Sequence, residues 1–280
     1  MGVVSEIERQ LAELRCRKLE EGDADLRTST MTHVIWAPPR WLPKSRAVFA
    51  GLEELHPART IFFIPQPGAH TRMSARASLK KTPVSGISRE VFSEVIELRA
   101  AGKAKQHPAS IVLPLLISDL PAFCRWRGEL PWGTTQLDEI VTACDRLVVD
   151  SDEWPGLPER YHRLASLFER IAVSDLAFAR TLPWRIRVAE LWPGVRDVTR
   201  LRVEGPRAEA HLLAGWLRSR LRRQIRLSRR SAPTLRAVWV DREQVQAPPG
   251  PERTPSELLS GELNVLGRDP IFEAAVRATL

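Results

Sequence analysis

Cysteine is scarce, with three residues, Cys16, Cys124 and Cys144, in a chain of 280. They are scattered, odd in number and never paired as C-x-x-C. That argues against a disulfide framework or a zinc ribbon and suits a reducing compartment. Long apolar runs are missing as well. No stretch approaches the roughly 18 uncharged apolar residues of a membrane-spanning helix, so none is expected. Glu6, Glu8, Arg9, Glu13 and Arg15 interrupt the first twenty residues, which therefore do not read as a signal peptide. The expected location is the cytoplasm. The motifs that hold phosphates are absent: there is no G-x-G-x-x-G after a strand and no G-x-x-x-x-G-K. No H-E-x-x-H or two-Cys, two-His spacing offers a metal site, and no G-x-S-x-G presents a serine nucleophile. Neither catalysis nor a cofactor or metal is expected.

What is present is an ordinary globular composition, 43% hydrophobic and 27% charged, long enough for one large domain or two small ones. The net charge of +8 is concentrated. Residues 200–236 hold eleven arginines against Glu204 and Glu209, while the rest of the chain is close to neutral. The basicity belongs to one place rather than to the whole protein.

Ser5 and Glu8 read as a capping box, and Val4, Ile7, Leu11 and Leu14 as the stripe of an amino-terminal helix over 1–25. Alternation from Arg27 to Trp36 predicts a strand, Pro43 to Leu55 a helix with Val48, Leu52 and Leu55 inward, and Thr60 to Ile64 a strand covered on both faces. A loop is expected over 65–88, then a strand around Val91 to Leu98. A boundary is placed between a first α/β domain, 26–104, and a second, 105–245, with a proline-rich linker and carboxy-terminal helices over 246–280. The expected fold class is α/β, two small domains with mixed sheets flanked by helices.

The residues that could carry chemistry have plainer explanations. Asp150 and Asp152 follow a strand and could hold a divalent ion, but Ser151 and Asp152 as turn caps are preferred. His107 could be a general base, yet no orienting partner is visible in the sequence. Cys124 and Cys144 are patterned as core residues rather than reactive thiols.

The stretch from Val173 to Arg185 joins two helix signals without a glycine. Ser174 or Asp175 can cap the first helix, and Pro183 suits the first turn of the second. Trp184, Val188 and Leu191 then share an apolar face. Burial accounts for Trp184 and capping for Asp175. Neither accounts for Arg180 or Arg185.

Four segments in order carry a resemblance: ISDLPAFCRW at 117–126, DRLVVDS at 145–151, SDLAFAR at 174–180 with PWR at 183–185, and LLAGWL at 212–217. Together they resemble the glucose-6-phosphate dehydrogenase assembly protein family (OpcA). Phe178 stands where that family often has Trp, and Arg125 where another Trp is common. Over 27–99 only the pattern of elements agrees. The resemblance implies a non-catalytic partner that assembles or activates the dehydrogenase of the oxidative pentose phosphate pathway. Such a partner works through a surface, and Trp and Arg are favoured at interface hot spots. The candidate contact residues are Arg180 and Arg185 foremost, with Trp184, Asp175, Trp126, Arg218 and Arg222. The competing expectation is a nucleic-acid-binding α/β protein using residues 200–236. Protein docking or a solvated face is preferred, because no recognition helix or aromatic RNA platform accompanies the charge.

Overall fold

The computed structural model describes residues 2–20, 29–53, 55–83 and 90–279. Its class is α/β, with two sheets, of seven and four strands, flanked by helices. The chain divides into two compact units, Met1–Val148 with Pro255–Leu266, and Val149–Thr254 with Gly267–Leu280. Positions 104 and 105 both lie in the first unit, and the two carboxy-terminal helices fall one in each.

In the first unit, α1 (Val3–Glu20) precedes β1 (Met31–Trp36), α2 (Leu42–Ala50), β2 (Ala58–Pro65), β3 (Arg72–Pro83) and β4 (Glu90–Ala101). Two short helices, α3 (Lys103–Gln106) and α4 (Ala109–Val112), lead to β5 (Ala122–Trp126), α5 (Thr135–Ala143) and β6 (Arg146–Val149). The strands here run β3-β4-β2-β1-β5-β6. β2, β1, β5 and β6 are parallel neighbours. Every residue of β1 and β5 is buried, as parallel strands covered on both faces require. Trp36 stacks between Phe63 and Trp126, with ring centroids 4.5 and 4.3 Å away. The predicted strand at Thr60 to Ile64 is found where expected.

Four expectations are corrected. The segment expected as a loop contains β3, an edge strand antiparallel to β4. Met73, Ala75, Ala77 and Leu79 are half-buried and alternate with exposed Ser74, Arg76, Ser78 and Lys80. That period of two is masked in the sequence by small residues. α1 begins at Val3, so Ser5 lies inside the helix and caps nothing; the last residues of its expected span, 21–25, lie outside the described residues. The strand expected from Arg27 begins at Met31, and Arg27 and Thr28 also lie outside them. α2 stops at Ala50, so Leu55 is off the helix and 63% exposed. The residue after its end, Gly51, is needed for close packing. A Cβ there would lie 2.5 Å from Ser256 Oγ on α10 (Pro255–Leu263), the helix that closes this unit.

The second unit starts with α6 (Arg160–Ala165), β7 (Ala172–Asp175), α7 (Leu176–Arg180) and α8 (Leu182–Ala189). Then come β8 (Arg200–Gly205), α9 (Arg207–Leu221), β9 (Arg226–Ser231), β10 (Ala237–Val240) and the short β11 (Glu243–Gln244), with α11 (Pro270–Arg277) last. The four-stranded sheet runs β11-β10-β8-β9, so β9 is an edge. α9 crosses over between the parallel pair β8 and β9, and nine of its residues are buried. α11 packs on it so closely that a Cβ on Gly215 would lie 2.2 Å from the Ala275 carbonyl oxygen. In an open helix, Gly→Ala stabilises by about 1 kcal/mol. Here the added methyl overlaps backbone, so Gly215→Ala is expected to cost about 1–3 kcal/mol. A thermal melt reads this as a lowered midpoint, and a raised one contradicts the contact.

Candidate functional site

The segment from Val173 to Arg185 sits against the most polar part of the second unit's interior. β7 ends at Asp175, whose Oδ1 accepts the backbone N–H of Ala177 at 2.9 Å, capping α7 as the sequence predicts. The same oxygen accepts the Ser151 N–H at 3.0 Å. Ser151 Oγ lies 2.9 Å from the Tyr161 hydroxyl, which in turn donates to the Ala208 carbonyl at 3.5 Å. Asp150, rather than Ser151 or Asp152, caps the turn at 151–153, accepting from Asp152 N–H at 3.3 Å.

Arg180 ties this cluster together. Its two terminal nitrogens donate to the two oxygens of Asp150 at 2.9 and 2.7 Å, and its Nε donates to Glu209 Oε1 at 2.5 Å. The bidentate fork is geometry that lysine lacks. Arg180 therefore has the structural account that the sequence leaves open, and its charge is neutralised rather than displayed. Asp175 and Glu209 are each only 2% exposed. Asp175 Oδ2 and Glu209 Oε2 have no hydrogen-bond partner among the described residues.

Burial, and then the nearby Asp150 charge, lifts the Asp175 carboxyl to about 7. Burial also lifts Glu209 to about 7, even though Arg180 pulls it down. Asp152 is raised by burial and by Asp150, and the Tyr161 hydroxyl is pushed well up by burial and by Asp175. Burial works against the Arg180 cation, yet Asp150 and Glu209 keep it firmly protonated. Chemically this is a proton-holding cluster: several acids share one guanidinium, and two of them titrate near neutrality. Both Asp150 oxygens accept from Arg180, a cation the chain itself supplies where the divalent-ion reading of Asp150 and Asp152 would place a metal. Among the described residues, no group of three His, Cys, Asp or Glu side chains is arranged to hold a metal ion.

The remaining candidate contact residues scatter. Trp184 is 6% exposed, packed inward with Val188 as its helical spacing predicts. Trp126, 2% exposed, lies inside the first unit against Trp36. Buried Trp126, Trp184 and Asp175 present no contact area in this conformation, which corrects their place among surface candidates. The Arg185 guanidinium lies 3.8 Å from the Phe178 ring centroid, a cation–π contact, and the side chain is half-buried. Arg218 donates to the carbonyls of Ile225, Ala278 and Thr279 at 2.8–3.1 Å, satisfying chain ends beside α9 and α11. Arg222 is exposed and follows α9 in the left-handed region, φ 52° and ψ 42°. His107 Nδ1 does have a partner, Glu139 Oε1 at 2.8 Å, on an exposed surface. Cys124 and Cys144 are buried neighbours, and Cys144's hydrogen bond together with burial pushes the Cys124 thiol well up.

Glu209 and Tyr161 escape the sequence reading. The available signal for Glu209 is that it is one of two acids among eleven arginines, placed in the first turn of a helix whose stretch from Leu212 to Leu217 is wholly apolar.

Residues 50–166 match a family model described as the N-terminal domain of the glucose-6-phosphate dehydrogenase subunit of OpcA type. Residues 171–247 match the model that describes the C-terminal domain of the same family. No curated protein matches the chain.

Proposed function

The chain belongs to the glucose-6-phosphate dehydrogenase assembly protein family (OpcA), and on that premise we propose that it is a non-catalytic partner which binds and stabilises the active oligomer of the dehydrogenase. The observation that carries the reading is the pair of family models matched in order along the chain. The interior of the second unit supports it: the acids best placed for proton chemistry are spent on holding Arg180, Ser151 and α7 in place. Both partners would work in the cytoplasm; no helix among the described residues is long and apolar enough to cross a membrane.

A partner of this kind activates only by binding one state of its enzyme more tightly than another. A tenfold shift toward the active oligomer requires a tenfold difference in affinity, about 1.4 kcal/mol. Purified chain alone is expected to reduce no NADP with glucose 6-phosphate. Mixed with the dehydrogenase of the same organism, it is expected to raise specific activity or shift sedimentation toward a larger oligomer. If activity and sedimentation of the dehydrogenase both stay unchanged over a titration into excess, the proposal is wrong.

A further inference from the structure

The four-stranded sheet of the second unit has two unlike faces. Leu201 and Val203 of β8, with Val238 and Val240 of β10 paired beside them, share one face and are buried. The opposite face carries Arg200, Arg202 and Glu204 of β8, because side chains alternate along a strand. The register sets Arg226 beside Arg200, Ser228 beside Arg202 and Arg230 beside Glu204. On the other flank it sets Trp239 beside Arg202. The Arg202 guanidinium lies over that indole, 3.8 Å from the ring centroid. Arg200, Arg202, Arg226 and Arg230 are all exposed. Two acids lie among them: Glu204 reaches Arg230 only at 3.8 Å, with Arg230 82% exposed, and Asp241, just past β10, accepts the Arg200 backbone N–H at 2.9 Å.

Strand edges are often guarded by charge against stray pairing. That role explains Arg226 and Arg230 on the edge strand β9. It does not explain Arg200 and Arg202 on β8, which lies between β9 and β10 and has no free edge. The charge is spread over the face, with an aromatic ring beneath Arg202 on its β10 side. Arginine and tryptophan are the residues that anchor protein interfaces.

We infer that this open face, from Arg226 and Arg230 to Trp239, docks an acidic surface of the protein partner. The inference rests on the functional reading above and takes that partner to be the dehydrogenase. Complementary charge brings such surfaces together quickly and weakens with salt.

The test compares full-length wild type, Arg226→Glu with Arg230→Glu, and a control, Arg72→Glu with Arg76→Glu, which reverses the same charge on β3. Binding to the dehydrogenase is measured at low and high ionic strength, and melting temperature checks the fold. Arg226→Gln with Arg230→Gln serves if the reversal disturbs folding. The β9 reversal is expected to weaken binding at least about tenfold at low salt, the control less than about twofold, and the gap to close near 1 M salt. Unchanged binding of the β9 variants overturns the docking face and leaves the functional reading standing. Equal losses in both reversals overturn it too, since charge alone then suffices. If wild type itself fails to bind, the functional reading is what fails, and this inference with it. A single-stranded RNA oligonucleotide is titrated in parallel: oligonucleotide binding lost in the β9 variants, with dehydrogenase binding intact, overturns the assignment in favour of nucleic acid.

Discussion

Replacing Arg180 by alanine is expected to lower the melting temperature by roughly 10 °C. The substitution strips Asp150 of a two-pronged ion pair and Glu209 of its hydrogen-bonded cation. Removing one partner from such a pair leaves uncompensated charge in a poorly solvated place, at a cost of about 3–5 kcal/mol. In a unit of this size each kcal/mol is worth about 4 °C. Glu209 can relieve part of the cost by taking a proton, since it already titrates at about 7. The loss should therefore be greater at pH 8 than at pH 6. Arg180→Lys keeps the charge but not the fork, so its midpoint should fall between the two. Arg185→Ala removes a cation–π contact on Phe178, worth about 0.5–1 kcal/mol, and should shift the midpoint only a few degrees. Differential scanning calorimetry of the three variants decides it. A wild-type midpoint for Arg180→Ala would mean the ion pairs contribute nothing to stability.

That contrast shows where sequence reasoning runs out. Arg180 and Arg185 look alike in the chain: both flank the helix junction, and neither fits the apolar face. What separates them is Asp150, thirty residues away, and Glu209, twenty-nine residues away. No local periodicity reports a partner at that distance. The elements that were legible are those whose determinants are local or repetitive. The continuous apolar run at Thr60 to Ile64 announces a strand buried on both faces. Asp175 caps its helix through a hydrogen bond two residues away. β3 was not legible, because Ala and Ser alternate too weakly in hydrophobicity to mark its faces. The basic face was half legible. Its charge stands out as a run of arginines, but whether those arginines share a face depends on the pairing of β8 with β9 and β10. The density of charge is a property of the sequence; its direction is a property of the register.

Asp175 supplies the second large effect, one that changes with pH. The folded pKa of about 7 lies well above the roughly 3.9 of an unfolded aspartate. Between those values the folded protein holds a proton that the unfolded chain has released. The contribution of Asp175 is therefore complete below about pH 4 and is lost as pH rises through about 7. A shift of this size corresponds to about 4 kcal/mol. The groups acting on it are the Asp150 charge, the Ser151 hydroxyl, the N–H groups of Ser151 and Ala177, and the Tyr161 hydroxyl beside it. Glu209 shifts in the same direction and steepens the loss. His211, whose pKa burial lowers to about 4, acts oppositely: its contribution is lost as pH falls below about 6.5. The wild-type profile alone thus mixes opposing groups, and the difference between two proteins is the informative quantity. Asp175→Asn mimics the protonated acid. Its amide oxygen can still accept from Ser151 and Ala177, and its amide nitrogen takes the place of Oδ2, which has no partner among the described residues. At pH 5 the variant and wild type should melt within a few degrees of each other. At pH 8 wild type carries the buried charge and the variant does not, so the variant should melt several degrees higher. Melting curves at pH 5, 6, 7 and 8 give the comparison. A constant offset between the two proteins across that range would show that Asp175 is ionised throughout, leaving Glu209 alone to hold a proton near neutrality.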